Sequence, residues 1–164
     1  MTMHIPVLTP AQSAEWDRQA EAGGINVGTL MDAAGRACAA VVAARFGPAL
    51  RGGVLVAAGT GNNGGDGWVL ARTLHRHHVP VWVASLPGAP SPLTAHVRAI
   101  ALAEGVRPLS PDGPWPMVAL AVDAVLGTGA SGAPRGPAAS LIERVRDMRV
   151  PLIALDGPTG VDLL

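Results

Sequence analysis

Three short apolar runs, each followed at once by a stretch rich in Gly, Asn, Asp and Thr, do most to limit how this 164-residue chain can fold. Apolar runs without polar alternation are typical of strands buried on both faces of a parallel sheet. Because parallel strands end at one edge of a sheet, the three polar stretches are expected to meet in one crevice. The runs are 53–58, 118–126 and 151–155, and the polar stretches are 59–67, 127–136 and 156–162.

Strand and helix patterns alternate along the chain, which favours a parallel sheet with right-handed crossovers. We predict an α/β fold, a three-layer αβα Rossmann-like parallel sheet in the order 3-2-1-4-5 with an N-terminal helical extension. A single domain is expected over 1–164, with the extension at 1–50 and the α/β core at 51–164. Helices are predicted at 10–22, 27–46, 68–77, 91–104 and 137–148, and the two further strands at 79–86 and 106–109.

The charge of the chain and its lack of Lys exclude several functions. Twelve basic and twelve acidic residues cancel, and all the basic residues are Arg. A neutral chain has little electrostatic attraction for nucleic acid or an anionic membrane, so neither is expected as a partner. Without Lys, the chain can form neither a Walker-type phosphate loop nor a Schiff base with pyridoxal phosphate.

The single cysteine, Cys38, excludes an internal disulfide and any zinc site built from several thiolates. It lies in an apolar helical run, and we interpret it as a small buried hydrophobic residue. The N-terminus lacks the basic segment and long apolar stretch of a secretory signal, and no apolar run reaches about 18 residues without a turn breaker. The sequence therefore predicts a cytoplasmic protein without a membrane span.

The first polar stretch has the spacing GxGxxG at 59–64, directly after a strand. Such glycines let backbone N–H groups approach a phosphate at the start of a helix. A conventional dinucleotide site also needs an acid about 20 residues later for the ribose, and none occurs between Asp66 and Glu104. The pattern therefore disfavours a hydride-transfer dehydrogenase. Because this stretch is expected to be surface backbone, Gly64→Val is predicted to remove nucleotide binding and spare the fold.

Carboxylates end the last two of the three strands. Asp123 and Asp156 must be solvated by the crevice or paired there, because burying a bare carboxylate is costly. Capping their own loops is the alternative role. Asn63, Asp123 and Thr159 offer oxygen donors, which suit a hard cation. The group HRHH at 75–78 closes a helix, where positive side chains meet the negative end of the helix dipole, and a metal site there is disfavoured.

Four motifs together resemble the YjeF N-terminal domain family, the NAD(P)HX epimerases. The segment 61–67 is GNNGGDG, 123–129 is DAVLGTG and 156–162 is DGPTGVD, while LMDAAG at 30–35 resembles the family's N-terminal LMENAG helix. The motifs occur in order and span nearly the whole chain. The resemblance implies an isomerase that interconverts the R and S forms of hydrated NADH and NADPH (NADHX and NADPHX) at C6.

The same resemblance implies the site residues. Potassium is the implied cofactor, held by Asn63, Asp123 and Thr159. Loss of hydroxide from C6 to an iminium ion, followed by return of water on the other face, would invert this carbon. Asp123 is the candidate acid and base, a role that competes with ion binding, so both stay open. The residues implied to contact the nucleotide are Asn62, Asn63, Gly64, Gly65, Asp66, Gly127, Thr128, Gly129, Ala130, Ser131, Gly132, Ala133 and Asp156.

The chain departs from the family pattern in several places. Asp32-Ala33 replaces Glu-Asn, Thr60 stands where Pro is usual, and Gly157 and Thr159 replace an apolar residue and Ser. The family domain usually continues for further strands after the third motif. We therefore expect a shortened form or a piece of a longer protein, often one fused to an ADP- or ATP-dependent NAD(P)HX dehydratase, which is otherwise a separate partner. An exposed sheet edge would favour self-association and leaves a homodimer open.

Three functions remain in competition. Retention of Asp123, Asp156 and the NNGGD segment favours the epimerase. The missing C-terminal strands favour a non-catalytic nucleotide-binding or scaffold domain of the same fold. The absent ribose acid disfavours a conventional dehydrogenase.

Overall fold

A computed structural model describes residues 8–161, which form a five-stranded parallel sheet in the order β3-β2-β1-β4-β5. The predicted α/β class and strand order are confirmed. Residues 1–7, in which no signal sequence is predicted, and Asp162 of the third motif lie outside the described residues. The helices are α1 (Pro10–Ala22), α2 (Val27–Phe46), α3 (Asn62–Arg76), α4 (Pro92–Ala103) and α5 (Pro137–Asp147), with a 3-10 helix at Gly47–Gly52. The strands are β1 (Val54–Ala58), β2 (Val81–Ser85), β3 (Arg107–Leu109), β4 (Leu120–Ala124) and β5 (Leu152–Ala154).

Helices cover both faces of the sheet, as the unbroken apolar strands predict. Alternate residues of β1 belong to opposite layers because side chains alternate along a strand. Val54 and Val56 pack with α2, α3 and α4, while Leu55 and Ala57 pack with α5. The order of the strands reverses between β1 and β4, and this reversal opens the crevice in which such sheets bind ligands.

The N-terminal helices begin at side-chain caps. The Thr9 hydroxyl accepts a hydrogen bond from the Gln12 N–H, and the Gln12 side chain accepts one from the Thr9 N–H, a reciprocal pair called a capping box. Asn26 caps α2 through the Gly28 N–H. One face of α2 is buried against α3 and consists of Met31, Gly35, Ala39 and Val42.

The stretch Val27–Gly52, made of α2 and the 3-10 helix, is long and apolar enough for a membrane span, with a mean hydropathy of 1.3 over an 18-residue window. Core helices of globular proteins pass the same test. One face of α2 packs on α3, while Val41 on another face is 61% exposed. The match therefore rests on length and composition alone.

Helix α3 begins at Asn62, six residues earlier than the predicted start at Trp68. The sequence indicated a loop there because glycine is a poor helix former. Close packing overrides that preference. A Cβ on Gly67 would lie 2.7 Å from the Cβ of Ala124 on β4, and one on Gly65 would lie 2.6 Å from the Met31 side chain on α2. The glycines therefore let the first turns of α3 lie against both the sheet and α2.

Candidate active site

The three polar stretches meet beyond the carboxyl ends of β1, β4 and β5, as predicted. Asp123 on β4 is in register with Ala57 of β1 and Ala154 of β5. The segments that follow these three residues therefore leave the sheet next to one another at the same edge. A cleft of about 650 Å³ opens there. Small-molecule sites commonly have volumes of roughly 300–1,000 Å³, so the cleft is large enough for a substantial part of a nucleotide.

Three carboxyl groups and no Arg or His line the cleft within the part of the chain that the structure describes. A smaller pocket of about 150 Å³ beside it is lined by Pro10 and by residues 126–132 and 157–161. A pyrophosphate in either pocket would meet backbone N–H groups and not basic side chains. The cleft residues are Ser13, Asp17, Ala34, Cys38, Thr60, Gly61, Asn62, Asn63, Asp66, Leu86, Val125, Leu126, Gly127, Thr128, Gly129, Ala130, Leu155 and Asp156.

Most of the predicted nucleotide contacts reach these two pockets. Ser131 and Gly132 line the smaller pocket, Gly64 and Gly65 are buried beneath the cleft, and Ala133 lines neither. The predicted contacts that line the cleft are Asn62, Asn63, Asp66, Gly127, Thr128, Gly129, Ala130 and Asp156.

The expectation that Gly64→Val spares the fold is wrong. Gly64 is buried in the first turn of α3, and any Cβ there would overlap the backbone carbonyl of Gly59 at the end of β1. Neither backbone segment can move without separating the helix from the sheet. Gly64 therefore serves close packing under the cleft, and its replacement tests folding more than binding.

Asp123 is 2% exposed and ties the second polar stretch to the third. Its Oδ1 accepts hydrogen bonds from the Thr159 hydroxyl at 2.7 Å and the Val125 N–H at 3.1 Å, and its Oδ2 accepts one from the Thr159 N–H at 2.8 Å. Three donors compensate the buried carboxylate. Asp123 is not among the residues that line the cleft.

Asn63 joins the same network from the start of α3. Its side-chain Nδ2 donates a hydrogen bond to the Leu126 carbonyl at 3.0 Å, and the Leu126 N–H donates one to the Thr159 hydroxyl at 3.1 Å. The Asn63 Oδ1 is buried and has no hydrogen-bond partner within residues 8–161. A buried acceptor without a donor is costly, and the chemistry of this oxygen suits a hard cation as its partner.

Asp156 follows β5 with φ of 65°, a left-handed conformation that is uncommon for residues other than glycine. Its Oδ2 accepts a hydrogen bond from the Thr128 N–H at 2.6 Å. A Cβ on Gly127 would lie 2.5 Å from that Oδ2 and 3.1 Å from the Asn63 Cβ. The three polar stretches therefore touch at Gly127, where only a glycine leaves room for the two side chains.

Asp66 is half-buried on α3 and lines the same cleft. Burial, together with the nearby carboxylates of Asp156 and Asp17, raises the pKa of Asp66 to about 7. An acid of this kind is partly protonated near neutral pH and can donate or accept a proton there.

The sequence analysis missed the contribution of the N-terminal helices to the cleft. Ser13 and Asp17 of α1 and Ala34 and Cys38 of α2 line one of its walls. The spacing i, i+4, which places two side chains on one helix face, is the signal that could have found each pair. Cys38 packs against the core but is only half-buried, so its interpretation as a small buried hydrophobic residue is met in part, and it also lines this wall.

The His group at 75–78 lies at the other end of α3, away from the cleft. The Arg76 guanidinium donates two hydrogen bonds to the Glu104 carboxylate, at 2.6 and 2.5 Å. No group of three or more His, Cys, Asp or Glu within residues 8–161 is arranged to hold a metal ion. The observed ion pair fits the role of closing the helix.

A family model described as YjeF-related protein N-terminus matches residues 27–163. The chain is 40% identical over 157 residues to the bifunctional NAD(P)H-hydrate repair enzyme Nnr of Pyrobaculum aerophilum, with 89% of this chain and 31% of that protein covered. It is 37% identical over 150 residues to the NAD(P)H-hydrate epimerase of Pirellula staleyi, with 81% of this chain and 62% of that protein covered. The chain thus spans about a third of the bifunctional relative.

A solved structure has the same fold. The crystal structure of the yeast protein YNL200c superposes with a TM-score of 0.83 and 26% sequence identity, over 94% of this chain and 71% of the yeast chain.

Proposed function

Because the chain belongs to the family of YjeF-related protein N-termini, we propose that it is an isomerase that interconverts the R and S epimers of NADHX and NADPHX at C6. The observation that carries the proposal is the single cleft formed by the start of α3, the residues after β4 and Asp156. The names of the relatives, an NAD(P)H-hydrate epimerase and bifunctional repair enzymes, support it.

The nucleotide would bind with its pyrophosphate at the start of α3. The first N–H groups of a helix have no partner within the helix, and the helix dipole adds partial positive charge there. Gly61, the residue before the helix, is exposed and lines the cleft, so a phosphate can approach. The backbone of 127–132 would hold the rest of the diphosphate and the ribose. Residues 127–130 line both pockets, and residues 131 and 132 line only the smaller one.

Potassium is the cation that we propose for the buried oxygens between these stretches. Asn63 supplies the Oδ1 that has no hydrogen-bond partner within residues 8–161, and Asp123 and Thr159 supply oxygen atoms linked to each other at 2.7 Å. All of these donors are hard oxygens, which suits a cation of this class. When bound, the ion would supply positive charge beside the cleft and offset the negative charge of a diphosphate. This arrangement supports the ion-binding role of Asp123, and its acid–base role stays a prediction.

The partner enzyme that we propose is an ADP- or ATP-dependent dehydratase, which uses the S epimer as its substrate. Several relatives carry names of bifunctional repair enzymes, and the chain covers only 31–32% of the first three of them. The dehydratase would be fused to this segment or supplied separately. The cytoplasmic location and the homodimer stay predictions.

The proposal is tested by supplying the R epimer of NADHX together with an S-specific dehydratase and ATP. NADH formation should be faster with this chain than without it, because a hemiaminal carbon also inverts spontaneously and that rate must be subtracted. The matched control is Gly127→Ala, whose Cβ would displace Asp156 and Asn63.

If the wild-type chain binds the nucleotide but gives only the spontaneous rate, the chain is not an epimerase, and the non-catalytic scaffold function is favoured instead. A rate that Gly127→Ala leaves unchanged would show that the chemistry does not take place in this cleft.

A further inference from the structure

Only a carboxyl group that lines the cleft can exchange a proton with a substrate bound there. Within residues 8–161, three carboxyl groups line the cleft, those of Asp17, Asp66 and Asp156. Asp123 is buried at 2% exposure and accepts three hydrogen bonds from the protein. A group that donates a proton must come within hydrogen-bond distance of the reacting atom, which favours the cleft residues over Asp123.

The surroundings of Asp66 and Asp156 differ. Asp156 is exposed, and its Oδ2 accepts a hydrogen bond from the Thr128 N–H. Asp66 is half-buried on α3, and within residues 8–161 no hydrogen bond or positive charge lowers its pKa. Nothing in that part of the chain therefore holds Asp66 in its ionised form.

The charges that face Asp66 act in the same direction. Asp156 lines the cleft after β5, Asp17 of α1 and the Cys38 thiol of α2 line one wall, and no basic group within residues 8–161 lines it. Burial and the two carboxylates raise the pKa of Asp66 to about 7. A carboxyl group with a raised pKa in a cleft is a common arrangement for acid–base chemistry.

We infer that Asp66 is the catalytic acid of C6 epimerisation, a role that rests on the proposed function. The neutral Asp66 carboxyl donates its proton to the C6 hydroxyl, the C6–O bond breaks and water leaves with the electron pair. The positive charge is shared by the ring nitrogen and C6, and the carboxylates of Asp66 and Asp156 offset it. Water then adds to the other face of C6 and forms the new C6–O bond. Its proton is released to the solvent of the open cleft, from which Asp66 regains a proton.

The test compares Asp66→Asn with the wild-type chain by kcat in the coupled assay and by the Kd for the hydrated nucleotide. Asn keeps the shape of the side chain and cannot donate the carboxyl proton. We expect kcat to fall by roughly 100-fold or more while Kd stays within about threefold. The control is Asp147→Asn at the end of α5, remote from the cleft, which should leave both values unchanged.

The pH profile separates an acid from a residue that only shapes the cleft. In the wild-type chain kcat should fall as the pH rises above about 7, where Asp66 loses its proton. Asp17→Asn removes one of the charges that favour the neutral form, so this fall should move to lower pH. Asp66→Glu, which retains a carboxyl group, should recover part of the rate.

Three results would overturn this role. An Asp66→Asn chain with kcat within about threefold of wild type would exclude an acid at this position. Loss of nucleotide binding in the same variant would make Asp66 a binding residue only. A wild-type chain without any rate above the spontaneous one would overturn the proposed function first, and the role of Asp66 with it.

Discussion

At the scale of single residues, Asp123 and Asp66 differ in their surroundings. Asp123 is buried and linked to Thr159, whereas Asp66 faces the cleft. Oxygen-bearing residues at the ends of strands could be predicted from the sequence, because each follows an apolar run. Their exposure could not, since it depends on the path of the third polar stretch over β4.

Asp123→Asn should destabilise the chain by about 1–3 kcal/mol. The two Thr159 donors and the Val125 N–H occupy the carboxylate oxygens, and an amide NH₂ would face one of these donors. Urea unfolding in a potassium buffer, with Asp147→Asn as the control, measures the change.

The same variant decides between the two roles of Asp123 in the coupled assay. If Asp123 only holds the ion, the rate should fall modestly and recover with added potassium. A rate at least about 100-fold lower at every potassium concentration would instead support the acid–base role.

Asp66→Asn should make stability less dependent on pH. The folded chain holds the Asp66 proton up to a pKa of about 7 against an ordinary value of 3.8. Folded molecules therefore bind more protons than unfolded ones between these values, and the free energy of unfolding falls as the pH rises through this range. The free energy of unfolding of the variant, measured relative to that of the wild type, should therefore rise by on the order of 2 kcal/mol from about pH 5 to pH 8.

Urea unfolding at the two pH values measures this gain. Equal slopes of stability against pH for the two chains would contradict a raised pKa at Asp66.

At the scale of elements, α3 shows how packing changes the meaning of a sequence. Gly64, Gly65 and Gly67 suggested a loop, yet they lie in a helix because β1, β4 and α2 approach its backbone closely. The other helices begin and end within two residues of their predicted positions, since their caps and breakers are local signals. Distant contacts, which the order of residues alone does not show, set the start of α3.

Gly61→Ala and Gly64→Ala should separate binding from folding. A Cβ on Gly61 would meet no other atom within 4 Å, so the fold should remain and the effect should fall on the nucleotide. A Cβ on Gly64 would overlap the Gly59 carbonyl, and the expected loss is about 1–3 kcal/mol or more. Thermal unfolding and nucleotide titration of both variants provide the comparison. Equal losses of stability in the two variants would contradict the expected separation of binding from folding.

At the scale of the whole molecule, the order of the sheet determines where a site can form. The apolar runs and their spacing predicted the β3-β2-β1-β4-β5 order, and with it the edge at which the polar stretches meet. The wall formed by α1 and α2 could not be predicted in the same way. It depends on how the helical extension crosses α3, where Gly35 of α2 would place a Cβ 2.5 Å from the Val69 Cβ.

Potassium should stabilise the whole chain, because a ligand that binds only the folded state raises its stability by mass action. At equal ionic strength, the melting temperature in potassium chloride should exceed that in choline chloride. A concentration of about 100 times Kd corresponds to about 2.7 kcal/mol. Asn63→Ala removes the unpartnered Oδ1 and should abolish the difference. A potassium effect of the same size in Asn63→Ala would place the ion elsewhere.

The backbone of Leu126 has a further consequence for motion. Its carbonyl accepts from Asn63 and its N–H donates to Thr159, so one residue is bonded to both neighbouring stretches. Local opening is expected to release all three stretches as one cooperative unit. In amide hydrogen exchange, the Leu126 and Thr159 N–H groups should therefore show the same protection relative to their unfolded rates. Truncation of Asn63 should lower the protection of both together.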